Sequence, residues 1–119
     1  MSRRILVFAL FAILCAPGLI PASMGAPAPR RIEITAKRFT YDPASITLKK
    51  GETVLLVLKS ADVPHGLRFR ELNVEVKAPK SGTGQVEFTP SKTGDFVGHC
   101  SVFCGAGHGS MMLTLHVVE

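Results

Sequence analysis

Fifteen consecutive residues, GHCSVFCGAGHGSMM from Gly98 to Met112, hold two of the chain's three cysteines, two of its four histidines and two of its four methionines. Thiolate, imidazole and thioether are the side chains that bind soft and borderline metal ions. Cys100, Cys104, His108 and Met111 fall at offsets 0, 4, 8 and 11, and the interval GAGHG carries three glycines. Each glycine would destabilise a helix by about 1 kcal/mol, so these residues are expected on a loop between strands.

Parity in the flanking segments says which side chains point inward. In MMLTLHVV, Met111 shares a face with Leu113, Leu115 and Val117, whereas Met112 goes with Thr114 and His116. Met111 is therefore the inward methionine, and Met112 and His116 face solvent. The same test on VPHGLRF puts His65 with Leu67 and Phe69, away from Arg68 and Arg70. His99 precedes Cys100 in a strand, so it points to the opposite side, at the rim.

Three chemistries compete for Cys100 and Cys104. An exported protein could close them as a disulfide, which leaves His65, His108 and Met111 unexplained. Structural zinc would be satisfied by two thiolates and two imidazoles, but an inward thioether favours copper, which also binds such sites more tightly. A mononuclear blue-copper site needs one thiolate, two imidazoles and a weak axial methionine; here there is one thiolate too many.

The elements that must position these groups read as strands from Arg30 onward. RIEITAKRF alternates, with Ile32, Ile34 and Ala36 on one face and Glu33, Thr35 and Lys37 on the other. YDP then reads as a turn. SITLKKGETVLLVLKS gives a strand, a Lys50-Gly51 turn and a second strand whose apolar run, Val54 to Leu58, suits the middle of a sandwich. HGLRF, NVEV, GQVEF, DFVGHC and MLTLHVV follow, separated by turns bearing Pro and Gly. No apolar helical period of useful length interrupts them. The fold class is all-β, a Greek-key β-sandwich.

The N-terminus differs from the rest. Met1-Ser-Arg-Arg is positive, Ile5 to Ala16 is unbroken apolar sequence, and Pro17-Gly18 ends it before PASMGAPAP. These are the three parts of an export signal. The run is shorter than the roughly 20 apolar residues a membrane-crossing helix needs. Residues 1–25 are expected to be a signal peptide, with an uncleaved anchor as the alternative and the one means of membrane association; 26–30 form a linker, and 31–119 one domain. Cys15 falls inside the signal. Without Arg3 and Arg4 the fourteen basic side chains become twelve against nine acidic, a net of +3. These are scattered, with no basic stripe for nucleic acid. The expected location is the periplasm or the outer face of the cytoplasmic membrane.

CSVFCGAGHGSM, together with the upstream SADVPHGLRF, resembles the binuclear CuA site of the cupredoxin-fold domain in subunit II of cytochrome c oxidase, also found in nitrous-oxide reductase. The similarity runs from about Ile32 to the C-terminus. It implies two copper ions bridged by the thiolates of Cys100 and Cys104, with His65 and Met111 completing one copper and His108 and the backbone carbonyl of Val102 the other. In that family's mixed-valence state, three positive charges against two thiolates leave a net of +1. One added electron brings the site to zero and spreads over both metals and both sulfurs, so rearrangement is small in a dry pocket.

Two departures accompany the resemblance. Val102 stands where subunit II sequences usually carry Glu, which leaves the carbonyl donor intact but removes an acidic side chain. The chain also has no Trp, although subunit II proteins use aromatic residues near the site to receive electrons. The implied function is an exported electron-transfer protein that serves a redox partner such as a c-type cytochrome or a respiratory oxidase. It has no catalytic residue of its own and would act either free or associated with a respiratory complex, in the latter case as the electron-entry part of an oxidase-type complex. The alternative is a copper carrier that delivers metal to an oxidase site.

Overall fold

The computed structural model describes residues 16–18 and 28–119, so most of the segment read as an export signal lies outside the described residues. Nine strands follow in order: β1 Arg30–Lys37, β2 Thr40–Asp42, β3 Ser45–Lys49, β4 Val54–Ser60, β5 His65–Phe69, β6 Val74–Ala78, β7 Thr83–Phe88, β8 Gly94–His99 and β9 Met112–Val118. Two single 3-10 turns, Arg70–Leu72 and His108–Ser110, are the only helical pieces among the described residues. Among the described residues no helix is long and apolar enough to cross a membrane.

The strands form two sheets, ordered β2-β1-β4-β7 and β3-β9-β8-β5-β6. β1 runs parallel to β4 and β3 parallel to β9; the other pairings are antiparallel. The alternation read in β1 buries Ile34 and Ala36 fully, while Glu33, Thr35 and Lys37 stay exposed. β4 lies between β1 and β7, and Val54, Leu56 and Leu58 are fully buried. These face Leu67, Phe69, Phe96, Leu113 and Leu115 of the other sheet in one hydrophobic core. Burying each such side chain stabilises the fold by about 1.5–3 kcal/mol.

The chain passes from β5 to β6 to β7 in neighbouring positions, and β7 returns to lie beside β4. That order, β4-β7-β6-β5, is a Greek key. The step from one sheet to the other lies between β6 and β7, where a Cβ at Gly84 would run into the carbonyl oxygen of Lys77. Gly84 thus permits the two backbones to meet at the sandwich corner.

The turn read at YDP begins late. Thr40–Asp42 is a short strand pairing with β1, and Tyr41 is buried in it. A three-residue strand is too short for alternation to reveal it; the aromatic ring, which has a core to enter, was the available signal.

Candidate metal centre

β8 ends at His99 and β9 begins at Met112, so Cys100 to Met111 form the connection between two hydrogen-bonded strands. No α-helix runs through them. The Cys100 N–H donates to the Met111 carbonyl at 3.4 Å, which pinches the two ends of the connection together. Inside it the N–H groups of His108, Ser110 and Met111 donate to Gly105, Gly107 and His108. Gly105 has φ +136°, a conformation other residues rarely adopt, and a Cβ at Gly107 would enter the ring of Phe39. The glycines that argued against a helix therefore let the loop lie flat on an aromatic ring from the turn between β1 and β2.

His65 enters from β5, in the same sheet as β8 and β9. Its neighbour Gly66 is buried, and a Cβ there would collide with Ser101 Oγ, so the absence of a side chain lets the cysteine loop settle onto β5. Tyr41 Oη donates to the Gly66 carbonyl, tying this spot to β2. Burial, followed by the nearby Cys100, raises the Tyr41 pKa far above its usual range.

The sulfurs converge on Cys104. Its Sγ lies 3.6 Å from Cys100 Sγ, 3.6 Å from His108 Nδ1 and 3.9 Å from Met111 Sδ. Cys100 Sγ is 3.1 Å from the Val102 carbonyl oxygen. One ligand atom from each of His65, Cys100 and Cys104 lies within 4.8 Å of the others. The cysteines are buried and unbridged. Met111 is fully buried and Met112 is 48% exposed. His99 is exposed on the other side of β8, and His116 pairs outside with Asp95 at 2.6 Å. Every residue read from the sequence as a candidate ligand thus lies on one loop or at the adjoining start of β5.

Asp62 is the residue sequence reading missed. It accepts from the N–H groups of Arg38 at 2.9 Å and Val63 at 2.8 Å, and its Oδ1 lies 2.6 Å from His65 Nε2. The Arg38 N–H, more than any other neighbour, holds its carboxyl down at about 2. An ionised carboxylate accepts a hydrogen bond from Nε2–H, keeps the proton on that nitrogen and so leaves Nδ1 as the bare nitrogen. The signal was an Asp three positions before the histidine in SADVPH, a spacing at which its side chain can hold the local backbone.

A metal fits this donor set on two counts. His65 is fully buried, yet its Nδ1 has no hydrogen-bond partner. A buried unsatisfied polar atom costs about 1–3 kcal/mol, and coordination is the interaction that would satisfy it. Second, burial, followed by its contact with Cys100, pushes the Cys104 thiol up to about 11; a metal ion is what makes a thiolate stable there. Thioether beside thiolate selects copper over zinc.

Comparison with known proteins agrees. The family model of the cupredoxin-like domain matches residues 4–112. Cytochrome c oxidase subunit 2 of Thermus thermophilus is 28% identical over 88 residues, covering 74% of this chain and 65% of that protein. Probable cytochrome c oxidase subunit 2 of Streptomyces coelicolor is 35% identical over 75 residues, covering 63% of this chain and 24% of that protein. The chain thus spans a quarter to just under two thirds of the length of these relatives. Among solved structures, the periplasmic domain of subunit II of cytochrome oxidase from Bradyrhizobium japonicum superposes with a TM-score of 0.70 at 22% identity, covering 81% of this chain and 88% of that one. That match supports the fold.

Proposed function

Because the chain belongs to the cupredoxin-like domain family, we propose that it is an exported electron-transfer protein built around a binuclear copper centre of the CuA type. The observation that carries the proposal is the pairing of two free thiols 3.6 Å apart with a buried imidazole whose Nδ1 is unsatisfied. Cys100 and Cys104 would bridge; His65 with Met111, and His108 with the Val102 carbonyl, would complete the set. Such a centre supplies one-electron transfer without making or breaking substrate bonds.

The protein's part is to hold the donors still and dry. Asp62 fixes the His65 ring, the 3-10 turn fixes His108, and Phe39 backs the loop glycines. A shell locked in this way needs little rearrangement between oxidation states. His108 is half-buried and is the histidine of the set that reaches solvent; the Phe103 ring, 79% exposed, lies 5.8 Å from it, centroid to centroid. Phe103 takes the place of the missing Trp as the aromatic contact for a redox partner, a c-type cytochrome or an oxidase. Export to the periplasm rests on the N-terminal sequence and on one structural neighbour described as a periplasmic domain.

Electron paramagnetic resonance of the half-oxidised, fully loaded protein tests the proposal. One electron shared by two equivalent copper nuclei gives seven hyperfine lines; a four-line spectrum at full loading would reduce the centre to one copper. Rapid surrender of Cu(I) to an apo oxidase domain, faster than electron transfer to a soluble cytochrome, would replace the relay by a copper carrier.

A further inference from the structure

The strand ends that send Cys100 and Met111 inward send His99 and Met112 outward, and these two are directly paired in the β8–β9 register. We propose that His99 and Met112 form a second, surface Cu(I) site, the station at which copper enters on its way to the buried ligands. For the identity and destination of the ion, the inference rests on the copper reading above.

Side chains directly opposite each other in an antiparallel pair have Cβ atoms about 4.5–5.5 Å apart. An imidazole and a thioether on such a pair can close on one ion, because methionine's three rotatable bonds let its sulfur adapt. His99 is free to do so: among the described residues His65, His108 and His116 each have a side-chain neighbour at a ring nitrogen, and His99 has none. Imidazole plus thioether, with no side-chain oxygen on the pair itself, suits the soft Cu(I) ion.

The surroundings fit passage more than storage. A pocket of about 220 Å³ is lined by Arg68, Arg70, His99, Cys100, Ser101 and His108, so the outer histidine borders one space with two of the candidate ligands, the buried Cys100 and the half-buried His108. Arg68 stands opposite His99 on β5, and its charge is answered in part by Glu75 at 3.9 Å. Arg70 adds a second cation at the pocket wall. Two protein ligands and nearby positive charge hold Cu(I) loosely and leave coordination positions open to the thiol or thioether of a donor. The inward thiolates then bind it far more strongly.

The test uses nuclear magnetic resonance of the full chain, anaerobic and fully reduced, with Cu(I) as the probe. Two equivalents fill the buried ligands; a third should then shift the Met112 ε-methyl and His99 ring resonances. Met112→Leu and His99→Gln should each weaken binding of that third ion by about tenfold or more in competition with a Cu(I) chelator. In samples loaded from a Cu(I) donor and withdrawn at intervals into half an equivalent of an added one-electron oxidant per copper, both variants should also slow the growth of the binuclear spectrum while leaving its final form unchanged. A third equivalent that moves neither resonance, or that binds equally well to both variants, overturns the proposal. Failure of the binuclear reading is seen separately, as a wild-type chain that never gives the seven-line spectrum. In that case Cys100→Ser/Cys104→Ser protein still reports on the outer pair, and unshifted His99 and Met112 resonances there with added Cu(I) would reject the entry site independently.

Discussion

Replacing Asp62 by Asn keeps the side chain's shape and removes its charge. In the folded protein this carboxyl titrates at about 2 against an ordinary 3.8. A full conversion at 1.36 kcal/mol per unit would give about 2.4 kcal/mol. The side chain is 32% exposed, and solvent screening reduces this to about 1 kcal/mol. The folded pKa is the lower one, so the stabilisation is fully present above pH 3.8 and is lost as pH falls through 2. Asp62→Asn apoprotein should therefore melt about 4–8 °C below wild type at pH 7, and the gap should close as pH falls from 4 to 2. Because the same carboxylate sets the His65 ring, copper affinity at neutral pH should drop by about 10–100-fold. Thermal unfolding across pH, followed by copper titration of the same samples, reads both effects. A stability gap that stays constant down to pH 2 would refute the charge argument, and unchanged copper affinity would refute the role of Asp62 in holding His65.

Met111→Leu should alter the visible spectrum and potential of the loaded protein at a stability cost below about 1.5 kcal/mol, whereas Met112→Leu should leave both spectrum and potential unchanged; the reverse would place the β9 register one residue out. Cys100→Ser should abolish the binuclear resonance spectrum while the apoprotein keeps its β-type circular dichroism. Since the Cys104 thiol is held at about 11, copper loading at pH 7 should release its proton, and this proton alone should lower apparent affinity by about tenfold for each pH unit lowered, as calorimetry in buffers of different ionisation enthalpy would show. The same raised value makes the apoprotein lose stability as pH rises above 9. Gly84→Ala should destabilise the domain by about 1–3 kcal/mol or more in urea unfolding, because the added methyl meets backbone at the corner between β6 and β7.

Strand parity explains why so much of the site was legible. Cys100 and Met111 continue the inward faces of β8 and β9, and His65 continues that of β5, so a two-residue period was enough to sort Met111 from Met112 and His65 from its arginine neighbours. The three glycines at 105, 107 and 109 likewise announced a loop. What they did not announce is its support, since Phe39 reaches Gly105 and Gly107 from a segment more than sixty residues earlier. Asp62 was hidden for a different reason: its role depends on three simultaneous hydrogen bonds, two of them to backbone, and side-chain type carries no record of those. β2 escaped because three residues are too few to show a period.

The placing of β9 has a consequence for unfinished or damaged chains. This strand slots between β3 and β8, although it follows both in sequence. A chain cut after the cysteines but before β9 would hold β3 and β8 with facing unpaired edges and a gap one strand wide. Such edges recruit foreign strands, and the empty slot has the shape of the missing segment. A chain broken there should gather into aggregates rather than persist as a weak copper binder, and a synthetic Met112–Val118 peptide is the natural agent to cap it.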